Sequence, residues 1–360
     1  MAFDLGSLLS PKNPPLIGLD ISTTSVKLVE LSEVGKNAIR LDRYAIEPLP
    51  KGAVVDGNID NMDAVTEAVR RVWKKSGTRI KNVAMALPSA AVITKRIFLP
   101  AGQTDEALEL QVESEASQYI PFALDEVSLD FQVLGEAASS PDDVEVLIAA
   151  SRKEKVEDRV AAAEAAGLKP VVMDIESYAS RSVVERVRKL MPNGGENLIV
   201  AVFNLGANTT TITVLLNGLS IYEREQAFGG NQLTQDIARA YGLTFDEAEA
   251  KKRSLDLAEN YARDILQPFI ESVAIEVTRA LQFFFTSTPY GRVDHIMLGG
   301  GCAVIEGLAD VVANRSQTPT SIVNPFKGME FGESVKEREL RTDAPSLLTC
   351  AGLAMRRFTG

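Results

Sequence analysis

Ser22, Thr23, Thr24 and Ser25 form an unbroken row of hydroxyl residues between two apolar runs near the start of the chain. In a tight turn, such a row presents side-chain O–H and backbone N–H donors that can converge on one anion. Asp20 stands just ahead of the row, where its carboxylate would repel a phosphate held by the hydroxyls. A hydrated divalent cation between the two removes that conflict, so Asp20 is expected to hold a metal ion through water. A second stretch repeats the idea about half a chain later. There Asn204 is followed by Gly206, Asn208 and Thr209, again between β-branched runs. Two such turns suggest two related halves holding one phosphate chain between them.

The elements that must carry these turns are hairpins. Ile17, Leu19 and Ile21 precede the first turn, and Val26, Leu28 and Val29 follow it, which is the pattern of strand, polar turn, strand. Leu198 to Leu216 follows the same pattern around the second turn. Between them the sequence predicts a third strand over Ile39–Leu49, a helix over Met62–Lys75 capped by Asn61, and a buried strand from Val83 ended by Pro88. This is an α/β layout.

From Ser89 the character changes to a small inserted α+β unit reaching Gly167. It comprises a strand Val92–Leu99, a helix capped by Thr104 and running to Tyr119, and strands Val127–Leu134 and Val144–Ala150 divided by a polar turn over Gly135–Asp143. A helix Lys153–Ala166 ends it at a left-handed Gly167. A strand Leu168–Asp174 and a helix Ser177–Met191 lead to Pro192–Gly195, a boundary between lobes.

The second half adds a strand Leu219–Glu225, the flexible pair Gly229 and Gly230, and a helix Asn231–Tyr241. A helical region from Phe245 places Glu249 and Lys252 on one face, and Phe269–Phe285 is a long core helix. His295–Leu298 reads as a strand running into Gly299, Gly300 and Gly301, then a helix from Ala303. That order lets backbone lie against a flat or charged ligand at a helix N-terminus. A last helix is expected over Pro345–Phe358.

The chain of 360 residues is long enough for two lobes, each with its own core. Its 38 Lys and Arg against 49 Asp and Glu give a net charge of −11, which argues against a nucleic-acid surface. Cys302 and Cys350 lack metal-ligand spacing, so neither a disulfide framework nor a zinc site is expected, and a reducing cytoplasm fits. The single histidine, His295, is read as structural. No run approaches the roughly 18 apolar residues of a membrane span. Residues 1–15 lack the marks of a secretory signal and are expected to be flexible; Phe3, Leu5, Leu8 and Leu9 give them only a weak docking capacity.

In order and spacing, the two hairpins and the late glycine turn resemble the nucleotide site of the actin, Hsp70 and sugar-kinase superfamily. The resemblance covers nearly everything beyond Pro14. It implies an actin-like two-lobed α/β fold that binds ATP with magnesium. Gly18–Lys27 would be the first phosphate element, bringing Asp20, Ser22, Thr23, Thr24, Ser25 and Lys27. Phe203–Thr209 would be the second, and Leu298–Gly301 the adenosine element. Gly229, Gly230, Glu249 and Lys252 match the chaperone-like members, where they flank phosphate, ribose and base. Glu176 matches the connecting element that faces the attacking water. Where active members carry an aspartate in the second hairpin, this chain has Asn204, an amide without charge and a poor base. Weak or absent hydrolysis is therefore expected.

The insertion is similar to the SHS2-like subdomain 1C of the FtsA division proteins rather than to the 1B insertion of actin. Gly18–Ile21, Ser25–Leu31 and the Gln118–Phe122 stretch resemble the PilM family of type IV pilus assembly proteins, and the amphipathic membrane tail of FtsA is not expected here. The implied organisation is a first lobe over 16–88 and 168–194, an insertion over 89–167, a second lobe over 195–344, and a C-terminal helix over 345–360 packing back on the first lobe. The implied role is an ATP-loaded cytoplasmic scaffold, peripheral to the inner membrane. It would hold the N-terminal peptide of PilN and contact the pilus motor ATPases, and a homodimer is compatible with it. An active ATPase, a small-molecule kinase or a filament-forming FtsA-like protein is the competing expectation.

Overall fold

The first hydroxyl turn joins β1 (Ile17–Ile21) to β2 (Ser25–Val34) as an antiparallel hairpin that sets Asp20 opposite Lys27. The computed structural model that shows this describes residues 14–35, 38–137 and 140–358. Nearly all of the expected flexible segment, with Phe3, Leu5, Leu8 and Leu9, lies outside them. From the hairpin the chain continues through β3 (Ala38–Pro48), the short pair β4 (Val54–Val55) and β5 (Asn58–Ile59), helix α1 (Met62–Ser76) and β6 (Asn82–Leu87). Asn61 caps α1 as expected, its side chain accepting from the Ala64 N–H at 3.0 Å, which satisfies one of the orphan donors of the first turn.

The inserted unit follows: β7 (Ile93–Pro100), α2 (Asp105–Tyr119), β8 (Val127–Ala137) and β9 (Ser140–Arg152). Its strands form a separate sheet in the order β7-β9-β8, and α2 covers one face with Leu108, Val112 and Ala116. The polar turn expected over Gly135–Asp143 is shorter than that. Gly135 pairs with Glu145 and Glu136 with Val144, so the strands run almost to their tip, with irregular register around a positive-φ Gly135.

Helix α3 (Lys153–Ala165), read from sequence as part of the insertion, packs elsewhere. Ala162 and Ala163 lie in the core of the first lobe with Leu19, Val65 and Val83. By packing, the inserted layer ends near Arg152.

β10 (Lys169–Ile175) and α4 (Glu176–Arg188) complete the first sheet region. The second lobe contains β11 (Ile199–Leu205), β12 (Thr210–Leu216), β13 (Leu219–Gln226), α5 (Asn231–Tyr241), α6 (Phe245–Ser254), α7 (Gln267–Ser287), β14 (His295–Gly299), α8 (Leu308–Ser316) and β15 (Thr320–Ile322). β16 (Glu330–Phe331), α9 (Glu337–Asp343) and α10 (Leu348–Met355) end the chain. The expected helix Pro345–Phe358 is thus one short α-helix flanked by tighter turns.

The two main sheets share a plan. The first runs β10-β6-β1-β2-β3-β16 and the second β15-β14-β11-β12-β13. Each has an antiparallel three-strand meander joined through its first strand to a parallel neighbour. Helices α4 and α10 lie between the sheets. Val183, Val187, Ala351 and Ala354 share one core with Val29 and Leu31 of the first sheet and Val200 and Val202 of the second. The two helices touch so closely that a Cβ on Gly352 would meet the Ala179 carbonyl at 1.9 Å, so only glycine fits there. Arg356 fastens α10 to β10 through a two-bonded pair with the buried Asp174.

Candidate functional site

Parallel strands β1, β6 and β10 point their C-terminal ends the same way, with Asp20 near the end of β1 and Glu176 just past the end of β10, the usual place for ligands in such sheets. Asp20 and Lys27 form an ion pair of 2.8 Å, and Lys27 Nζ also donates to Ser22 Oγ at 2.9 Å. Ser22 in turn donates to the Ser25 carbonyl through its hydroxyl at 2.9 Å and its N–H at 3.0 Å. Ser22 and the buried Ser25 therefore close the turn itself. Thr23 and Thr24 stand half-buried at its tip, their hydroxyls without a hydrogen-bond partner among the described residues.

The second turn is closed by the Gly206 N–H donating to the Thr209 carbonyl at 3.0 Å. It rests on the start of α5: Gly230 N–H donates to the Gly206 carbonyl at 2.9 Å and Asn231 N–H to the Ala207 carbonyl at 2.8 Å. Asn208 accepts from the Asn231 amide at 2.6 Å. Gly229 leaves no room for a side chain, since a Cβ would meet the Ala207 carbonyl oxygen at 2.5 Å.

The glycine turn after β14 divides in role. Gly299 and Gly300 are buried, and Gly300, at φ +86°, would drive a Cβ to 2.3 Å from the Leu205 carbonyl. These two serve backbone packing. Gly301 is exposed, and a Cβ there would meet nothing within 4 Å. The helix expected from Ala303 is absent. Single turns occupy 301–306, and α8 starts at Leu308 after Gly307 at φ +79°, a left-handed residue that no continuous helix admits. No helix N-terminus opens directly behind the glycines.

Glu249 and Lys252 do face each other, at 2.5 Å, and both bond the Thr234 hydroxyl of α5, at 2.7 and 2.6 Å. Arg253 adds a bond to Glu249 at 2.8 Å. Burial would raise the Glu249 carboxyl, but Lys252, Thr234 and Arg253 outweigh it and hold the group down at about 2. Cys302 lies within the field of this pair and its thiol is pushed up to about 11 by burial, so it is an inert packing group. The glycine turn, the α5 start and the α6 pair thus meet on the second lobe. The lobes also touch where Lys51 sits 4.3 Å over the Phe245 ring.

Glu176 opens α4 between the two hairpins. Burial pushes its carboxyl up to about 7; the Asp20 carboxylate adds to this, and Arg159 and Lys27 oppose it. Glu176 and Asn204 line one cavity of about 20 Å³ together with Ser180, Arg181, Thr211 and Thr213, enough for a single water. Sequence reading missed Arg159 of α3. Its position on the helix stripe of Val156, Ala162 and Ala163 was the available signal.

The donors suit a phosphate chain. Tips of turns from both lobes offer hydroxyl and backbone N–H groups, Lys27 stands beside the first turn in its pair with Asp20, and the space at Gly301 is open.

The chain is 25% identical over 342 residues to the cell division protein FtsA of Enterococcus hirae, covering 82% of this chain and 75% of that protein. It is 22% identical over 366 residues to FtsA of Bacillus subtilis, covering 87% and 79%. Among solved structures, a PilM–PilN type IV pilus biogenesis complex matches with a TM-score of 0.79 and 28% identity, over 96% of this chain and 99% of that one. The ethanolamine utilization protein EutJ of Carboxydothermus hydrogenoformans shares the fold, with a TM-score of 0.54 and 18% identity over 96% and 90%. The family model for type IV pilus assembly protein PilM matches residues 18–358. With that match spanning all but the ends of an actin-like fold, this chain belongs to the PilM family of type IV pilus assembly proteins.

Proposed function

We propose that the chain is an ATP-binding cytoplasmic scaffold of the inner-membrane pilus assembly platform, whose central task is to hold the N-terminal peptide of PilN. The observation that carries this is the inserted unit. Its sheet buries one face under α2 and leaves apolar side chains in water elsewhere: Phe98 is 57% exposed, Leu134 43%, and Leu110 on the outside of α2 68%. Exposed apolar surface of this kind, beside open strand edges β7 and β8, suits an extended peptide. The solved PilM–PilN complex supports the choice of peptide. Among the described residues no helix is long and apolar enough to cross a membrane; on this reading the contact with the inner membrane runs through PilN, and the pilus motor ATPases are further partners.

In the cleft, Thr23, Thr24, Lys27 and the Gly206–Thr209 turn would hold the phosphates. Glu249, Lys252, Gly230 and Gly301 would border the nucleoside. Among the described residues no cluster of three His, Cys, Asp or Glu side chains could hold a metal. Magnesium would therefore be held by Asp20 through water, the hydrated mode usual for that ion.

Titration of a synthetic PilN N-terminal peptide into the full chain tests the scaffold reading. Phe98→Asp and Leu110→Asp mark the two sides of the insertion, and one of them should weaken binding by about tenfold or more. Equal affinity in both variants would put the peptide elsewhere, and no binding to the intact chain would remove the reading.

A second reading, slow ATP hydrolysis, has one specific observation in its favour. Glu176, held near 7 beside a water-sized cavity, is tuned as a general base should be. Loss of residual turnover in Glu176→Gln would establish it.

A further inference from the structure

Arg70, Arg71, Lys74, Lys75, Arg79 and Lys81 crowd into residues 70–81, a stretch that holds no Asp or Glu. Lys74 and Lys75 stand in the last turn of α1, where the helix dipole favours cations. Arg79 and Lys81 lie past that helix on the link to β6, where the dipole does not account for them. Lys169 joins them from β10, its N–H donating to the Lys81 carbonyl at 2.8 Å. Arg70 is paired with Glu67 at 2.6 Å and Arg71 with Glu47 at 3.0 Å, and Lys75 donates to the Ile46 carbonyl at 2.7 Å. Lys74, Arg79, Lys81 and Lys169 are exposed, and their side chains have no partner among the described residues. Against them stands Glu164, exposed near the end of α3.

This basic face lies at one end of the first lobe. β1, β6 and β10 are parallel; Lys81 precedes β6 and Lys169 opens β10, whereas Asp20 and Glu176 stand at the other ends of the strands. The insertion departs from that other end too, after Leu87. Residues 93–152 carry 12 Asp and Glu against 3 Lys and Arg, a net −9 of the chain's −11. The overall acidity therefore sits on the insertion and leaves the basic face its own field. The chain also enters the fold at the basic end, where the Pro15 carbonyl accepts from the Asn82 side-chain amide at 3.4 Å. Residues 1–13, with Phe3, Leu5, Leu8 and Leu9, are thus tethered next to Lys81.

We propose that this basic face rests on the anionic lipid headgroups of the inner membrane. The inference depends on the scaffold reading above, which sets the chain beside that membrane. It adds a direct contact and an orientation, with the basic end toward the lipid and the insertion away from it. Clusters of Lys and Arg are drawn to the negative potential of such a surface over about a Debye length. A basic patch alone binds weakly and reversibly, and apolar side chains tethered beside it supply the second signal that firmer binding takes. The four cations come from a helix end, a loop and a strand start, a spread that matches a surface better than a single acidic segment of protein.

Flotation of the full chain with vesicles of phosphatidylethanolamine and phosphatidylglycerol, and with vesicles of phosphatidylcholine alone, tests this. The wild type should bind the anionic vesicles, lose most of that binding at about 0.5 M salt, and ignore the neutral ones. Arg79→Glu combined with Lys81→Glu and Lys169→Glu should weaken the partition by about tenfold or more, with affinity for the PilN peptide unchanged. Should that variant fail to fold, the same three positions changed to Gln should weaken binding in the same direction. Equal binding to both vesicle types, or a folded variant that binds as the wild type does, overturns the proposal. So does a wild type that takes up a polyglutamate peptide but not the anionic vesicles, which would assign the face to an acidic protein segment. A chain that binds the PilN peptide but no vesicles loses this proposal alone, whereas one that binds anionic vesicles but not the peptide loses the scaffold reading and keeps the basic face.

Discussion

Asp20 and Lys27 are directly opposed across the first hairpin, and their side chains, 7% and 11% exposed, meet at 2.8 Å. The carboxylate expected to face a hydrated metal alone is thus already neutralised by a lysine of the same hairpin. Removing one member strands the other. Asp20→Ala should cost about 3 kcal/mol of stability, whereas Asp20→Asn combined with Lys27→Met should cost much less. Magnesium-dependent ATP affinity in Asp20→Ala should also fall more than about tenfold. Chemical denaturation and calorimetry check both effects, and equal stabilities would mean that the pair is not closed in solution.

Glu176 makes the protein prefer acid within a defined window. Its carboxyl moves from 4.5 when unfolded to about 7 when folded. Between those values the native state binds the extra proton, so this contribution is complete below 4.5 and lost as pH rises through 7. Glu176→Gln removes the charged form. The variant should match the wild type near pH 4 and exceed it at pH 8 by up to roughly 3 kcal/mol. Urea unfolding at the two pH values is the measurement.

At Glu249 the sign reverses. Its carboxyl is held at about 2 against an ordinary 4.5, so its stabilisation is full above 4.5 and disappears as pH falls toward 2. Glu249→Gln should lose about 2 kcal/mol at pH 7 and nothing near pH 2. Thermal melts across that range test it; a loss that persists at low pH would assign the effect to packing instead.

Gly300 and Gly301 are adjacent and should respond oppositely. Gly300→Ala forces a Cβ onto the Leu205 carbonyl at positive φ and should destabilise by about 2 kcal/mol or more. Gly301→Ala enters open space and should fold normally, its effect confined to nucleotide affinity. Melting temperature and nucleotide titration separate the two.

Asn204 shares the water-sized cavity with Glu176. Asn204→Asp places a second carboxylate there, which should raise ATP turnover if a missing charge is what limits it. Unchanged turnover, with nucleotide still bound, would move the limit elsewhere.

What the sequence determined alone was local. Both hairpins, the Asn61 and Thr104 caps and the i, i+3 pairing of Glu249 with Lys252 follow from residue types a few positions apart, because turn closure and capping involve only neighbouring backbone groups. The late glycine turn shows where local reading stops. Three glycines in a row advertise close approach without saying to what, and the tertiary structure gives two of them to Leu205 and Leu348 and leaves one in open space. The helix expected from Ala303 failed because a left-handed Gly307 outweighs the helical pattern before it. α3 follows the insertion directly in the chain, yet its alanines fill the first lobe's core, since packing follows apolar faces and not sequence order. Arg159 was illegible for the same reason. A guanidinium's burial, its one bond to Gly57 and its nearness to Glu176 and Asp20 exist only once strands and helices from distant parts of the chain have closed around it.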